Sequence, residues 1–177
     1  THIVVSRWAA WTLALTVALV AGFGAAGVVI GILAGSADVA RYVALIGVAT
    51  LLVSASLAIG LWIGIVARSR ARAVGFAVLA WFVLVVGADL AAIALLSVLP
   101  ASAASWSLVV LLTANPVDSA RALGLGLFQA DVVAGPTGAA LHRLLGGPGA
   151  VLVLVGLIAW TIVPLRLAGR RFTRQDL

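Results

Sequence analysis

Long apolar runs separated by short polar breaks set the pattern of this chain. A helix crosses the hydrocarbon of a bilayer with about 20 apolar residues. Runs at about 8–34, 42–67, 73–99 and 150–167 meet that length, and each is predicted to be a membrane-crossing helix. The third is the most informative. It opens with Arg68, Arg70 and Arg72, continues uncharged except for Asp89, and stops at Pro100. The first run carries Gly27, Gly31 and Gly35 on one helical face, and the second carries Gly60 and Gly64 at the same spacing. Small residues four apart let helix backbones approach closely in lipid. These faces therefore predict packing within the bundle or a contact with a second copy.

Between the third and fourth runs, over 100–149, the pattern changes. Residues 107–114 are apolar but too short to cross, so they are expected to dip into the interface or pack on the bundle. NPVDSAR follows. Asn115 suits an N-cap and Pro116 the first helical position. Asp118 stands where a capping box reaches back to the cap, and Arg121 lies three residues further on, in pairing range of Asp118. Asp118, Arg121 and Gln129 fall on one face, which predicts a short amphipathic helix lying in the membrane surface. Helix capping explains most of this pattern, and docking of an external partner is the alternative. Between two Gly/Pro breaks, GPTG and GGPG, AALHRLL allows one more short helix. The expected fold is thus all-α: a polytopic transmembrane bundle of four spans, with short amphipathic external helices between the last two.

Composition agrees. The chain is 64% apolar and 9% charged, against about 45–50% and 25% for soluble domains. Its net charge of +6 comes from arginine alone, since lysine is absent. The arginines sit at the ends of apolar runs, which points to helix orientation and not to a nucleic-acid partner. With both ends inside, Arg7, Arg68, Arg70, Arg72, Arg166, Arg170, Arg171 and Arg174 are cytoplasmic, and only Arg41, Arg121 and Arg143 are external. Short cytoplasmic loops collect Lys and Arg. The bias therefore predicts a multi-pass protein of the cell (inner) membrane with a cytoplasmic C-terminus. Methionine is absent and no signal-peptide cleavage site is evident, so the chain is expected to be the C-terminal part of a longer membrane protein.

Several chemistries lack their parts. Without lysine there is no P-loop, and HExxH, GxSxG and a Cys–His pair are missing. Neither Cys nor Met is present to hold Cu(I), and His2 and His142 are far apart. No catalytic residue, metal site or cofactor is expected in this chain. Asp89 is the exception to an otherwise inert membrane interior. An acid inside a span is costly and faces the bundle or a wet cavity. It predicts either a substrate or proton contact, or a hydrogen-bonded packing contact to a Ser, a Trp N–H or an open carbonyl.

VSR, GFGAAG, RSRARAVGFAVLAWFVLVVGADL, NPVDSAR and RRFTRQDL, spread over the chain, together resemble the ABC-2 type permeases. Within them the resemblance is to the permease of the transporter serving nitrous-oxide reductase maturation (the NosY type). That resemblance implies six spans, of which these residues would be the last four, with a cytoplasmic coupling helix between the second and third spans of the six, just before the stub that ends at Arg7. It implies a homodimer of permeases, a separate cytoplasmic ABC ATPase that binds the ATP, and a periplasmic accessory protein. The implied activity is ATP-driven export of a sulfur or copper species. The absence of Cys and Met argues against tight Cu(I) binding here. A membrane anchor or scaffold for assembly factors, moving nothing, is the alternative reading.

Overall fold

The computed structural model describes residues 2–33, 36–67, 69–98, 101–127 and 147–173. Arg68, Pro100, Gln129, Arg174 and the AALHRLL segment lie outside the described residues. All the elements are helical: α1 (His2–Leu33), α2 (Ser36–Val66), α3 (Arg70–Phe82), a π-helical turn (Val83–Gly87), α4 (Ala88–Val98), α5 (Ala101–Ala114), α6 (Pro116–Leu127) and α7 (Pro148–Thr173). α3, the π-turn and α4 run on without a break. Four helices are long and apolar enough to cross a membrane: α1, α2, the combined α3–α4 helix and α7. This is the all-α, four-span bundle that the apolar runs predict.

α1 and α2 pack antiparallel through the glycine face of α1. A Cβ on Gly27 would lie 2.9 Å from Tyr42 Cε1, and one on Gly31 would lie 3.2 Å from Val39 Cγ2. Two long-range hydrogen bonds fasten the pair. The Tyr42 hydroxyl donates to the Phe23 carbonyl (2.8 Å), and Trp8 Nε1 donates to the Ser54 carbonyl (3.1 Å). Bonds to carbonyls inside a helix are favourable where no water competes. Ser56 instead bonds back to the Leu52 carbonyl at 2.8 Å, the local use of a serine in a helix. Residues 2–7, before the first apolar run, are helical and continuous with α1.

The core is built of small residues. Ala55 of α2, Ala120 of α6 and Leu157 of α7 are buried together, with Leu51, Leu52 and Trp160 against them. α7 turns Val153, Leu157, Thr161, Pro164 and Ala168 inward, a stripe with the helical period. α6 does more than lie on a surface: Pro116, Ser119, Ala120, Ala122 and Gly124 are buried. Its small face allows it into the bundle, where it runs antiparallel to α2, while Arg121 on the opposite side is exposed. Residues 101–107 are helical and form one element with 108–114. Alanine favours helix most, and each serine costs under about 1 kcal/mol.

Candidate functional site

α5 and α6 bend by 116° about Asn115, as a broken span or a re-entrant hairpin does. Such a bend exposes the last carbonyls of one helix and the first N–H groups of the next. Here the hairpin satisfies them with its own neighbours. Ser119 Oγ donates to the Leu112 carbonyl (2.6 Å), and Trp160 Nε1 donates to the Thr113 carbonyl (3.1 Å). Asn115 Oδ1 accepts from the Val117 N–H (3.0 Å), capping α6. Asn115 is almost fully buried and Pro116 fully so. Proline at the first helical position sacrifices no helix bond.

The Asn115 amide also reaches the third span. Within the π-turn, the Ala88 N–H donates to the Val83 carbonyl, five residues back. The Leu84 carbonyl, passed over by Ala88, accepts Asn115 Nδ2 at 2.6 Å. Leu84 stands at the middle of the helical run from Arg70 to Val98, and Trp160 at the middle of α7. The hairpin apex is therefore held at the mid-depth of two crossing helices. A π-turn inside an α-helix commonly marks a functional position.

One and a half turns beyond Leu84, Asp89 meets α6. Arg121 Nη1 lies 3.2 Å from Asp89 Oδ1 and 3.2 Å from Asp118 Oδ1. Asp118 Oδ2 accepts the second Asn115 amide hydrogen at 2.6 Å. Asp118 thus reaches back to the cap residue's side chain, where a capping box would use its backbone N–H. The five groups form one chain: Leu84 carbonyl, Asn115, Asp118, Arg121 and across to Asp89. Of the two readings of Asp89, the packing one expects a Ser, a Trp N–H or an open carbonyl as partner; the partner in the fold is an arginine. A cavity of about 220 Å³, with Leu108, Leu111 and Leu125 in its wall, opens beside the three charged side chains. The Asp89 and Arg121 side chains are 48% and 49% exposed, and that of Asp118 is 15% exposed.

The orienting arginines lie elsewhere. Arg70 and Arg72 are exposed in the first turn of α3, which Ser69 caps by accepting the Arg72 N–H. Positive charge at a helix N-terminus opposes the helix dipole, so their presence there serves something other than helix stability. Arg170 and Arg171 occupy the last turn of α7, where the dipole favours them. Arg7 is exposed on α1. Among the described residues there is no cluster of three or more His, Cys, Asp or Glu placed to hold a metal ion. No sequence pattern singles out Trp160, Thr113 or Ser119. A tryptophan in the middle of a span, away from the interfacial belt, was the one signal that could have marked Trp160.

Four crossing helices, a bent hairpin and a charged cluster beside them define a multi-pass integral membrane protein. A family model for ABC-2 family transporter proteins matches residues 1–177, and the chain belongs to that family. Comparison with curated proteins and with solved structures finds no match. Membership makes the chain a membrane component of an ABC transporter and implies a partner ABC ATPase subunit and a lipid surround.

Proposed function

We propose that the chain is the permease subunit of an ATP-driven transporter whose pathway passes the Asp89–Arg121–Asp118 cluster. The observation that carries this is the exposure of that cluster on an otherwise apolar helix. A charged side chain at the bilayer centre costs about 2.5–3.5 kcal/mol on insertion scales. Asp89 and Arg121, each half exposed, therefore need water or a second protein surface, not acyl chains. A conduit between two permease copies supplies both. Force enters from a separate cytoplasmic ATPase through an arginine-bearing end: the stub ending at Arg7 first, with the arginines at 68, 70 and 72 and the tail from Arg166 as the other cytoplasmic surfaces. The arginine bias supports placing those ends, and the C-terminus, in the cytoplasm.

The test is co-purification and coupling. Protein from its native cells should bring down an ABC ATPase at low salt. In vesicles, Asp89→Asn and Arg121→Ala should keep the ATPase bound but lose transport. If no ATPase comes down, the transporter reading fails and a membrane scaffold takes its place.

The resemblance to the nitrous-oxide reductase maturation permease supports a narrower reading. Under it the cargo is a sulfur or copper species, delivered through a periplasmic accessory protein for assembly of a copper enzyme. A strain lacking this chain should then accumulate the reductase short of copper. Full copper occupancy in that strain would rule the narrower reading out and leave the permease reading standing.

A further inference from the structure

A larger cavity than the one at the charged cluster lies elsewhere among the described residues. It is a groove of about 770 Å³ between α1 and α2, with Arg7, Trp11 and Leu15 on one wall and Leu57, Gly60 and Gly64 on the other. We infer that this groove binds an anionic phospholipid, one acyl chain lying along α2 and the phosphate held by Arg7.

The shape fits a chain. Residues 52–65 of α2 line it, about 20 Å of helix at 1.5 Å per residue, which exceeds the ~15 Å of hydrocarbon in one leaflet. Nothing lies within 4 Å of where a Cβ on Gly60 or Gly64 would stand. These two glycines, unlike Gly27 and Gly31, face open space and not a neighbouring helix.

The charge fits a phosphate. Arg7 is the one charged residue among the described residues of the lining. Its guanidinium makes no ion pair among the described residues, whose pairs involve only Arg41 and Arg121. Ser56, the other polar residue of the lining, has its hydroxyl hydrogen committed to the Leu52 carbonyl. Guanidinium binds phosphate oxygens in pairs, and a long Arg stem lets the head reach the interface while its methylenes stay in the groove. Trp11, 62% exposed, flanks it as interfacial tryptophans flank headgroups. The inference holds whichever leaflet Arg7 faces.

Trp11 also supplies the measurement. The whole chain is placed in bilayer discs of phosphatidylcholine with a minor fraction of phosphatidylglycerol, and bromine is carried on the acyl chains of one lipid or the other. The Trp11 signal is the difference between wild type and Trp11→Phe. At equal mole fraction, brominated phosphatidylglycerol should quench it about fivefold more effectively than brominated phosphatidylcholine, the preference one arginine gives near an anionic surface. Arg7→Gln should abolish the preference, and Gly60→Leu with Gly64→Leu should reduce quenching by both lipids. Equal quenching by both lipids in wild type means ordinary boundary lipid and overturns the site. Quenching by neither means that protein, another helix or a second copy, covers the groove, which overturns it as well.

Discussion

At the scale of single residues, Asn115 is the test case. Its amide caps α6, engages Asp118 and donates to Leu84. Aspartate caps a helix as well as asparagine does, so a capping role alone predicts that Asn115→Asp is harmless. Aspartate, however, has no hydrogen for the Leu84 carbonyl and sets a second carboxylate against Asp118. Asn115→Asp is therefore expected to unfold at least as readily as Asn115→Ala. Asn115→Ala should lose about 2–4 kcal/mol for a cap and two buried bonds, and Asn115→Asp, which keeps the cap, at least as much from the two lost bonds and the repulsion by Asp118, read from equilibrium unfolding in detergent. A neutral aspartate variant would reduce Asn115 to a cap. Within the charged cluster the losses should be unequal. Asp89→Asn leaves Arg121 paired to Asp118 and should cost under about 1 kcal/mol, as half-exposed pairs do. Arg121→Ala strands two carboxylates and should cost about 2 kcal/mol, between exposed and buried cases. Equal losses would show that the cluster is not one network.

At the scale of elements, the hairpin depends on how closely α5 approaches α7. A Cβ on Gly156 would lie 3.2 Å from Thr113 Cβ and 3.4 Å from its Cα, close to the bend. Backbone cannot move aside cheaply there, so Gly156→Ala should destabilise by about 1–2 kcal/mol despite alanine's helix preference. At Gly124 the nearest atom is the tip of Leu45, also at 3.2 Å. That tip can rotate, so Gly124→Ala should be neutral or slightly stabilising. Thermal unfolding of the two variants side by side decides this, and indistinguishable midpoints would mean that the Thr113 contact is slack. The contrast also marks what the sequence made legible. Crossing helices follow from run length alone, and the Asp118–Arg121 pair lies within one helical turn. Asp89 and Arg121 stand 32 positions apart, and Asn115 and Leu84 stand 31 apart. Only the folded path brings either pair together. The Leu84 partner is moreover a carbonyl, which every residue carries, so no letter in VLVVG announces it.

At the scale of the molecule, side-chain labelling tests the orientation. The chain has no cysteine to compete. Arg70→Cys at the start of α3 and Gly147→Cys just before α7 are both exposed positions. With both ends inside, an impermeant thiol reagent should label Gly147→Cys in intact cells and Arg70→Cys only after permeabilisation. The reverse pattern would invert the arginine argument. The same frame explains the uneven burial. α3 and the π-turn have no buried residue, while α2 and α7 carry the core. The helix bearing Asp89 is thus, with α1, the least covered of the spans.

The π-turn gives that helix a phase. One residue of an α-helix is a rotation of about 100° and an advance of about 1.5 Å. The turn at Val83–Gly87 holds one such step in reserve, and everything from Ala88 outward is set by it. If the turn relaxes to ordinary winding, the outer half twists like a shaft slipping one tooth. Asp89 then swings away from Arg121, while α3 and its arginines stay where they are. The ion pair across to the hairpin is therefore a dial that reads the winding of a helix it does not belong to. Deleting Val85 should fix the dial in its other position. Helix content should be unchanged, but the coupling energy between positions 89 and 121 in a double-mutant cycle, 0.5–3 kcal/mol for typical contacting pairs, should fall to about zero. Coupling that survived the deletion would mean that the hairpin follows the shaft around.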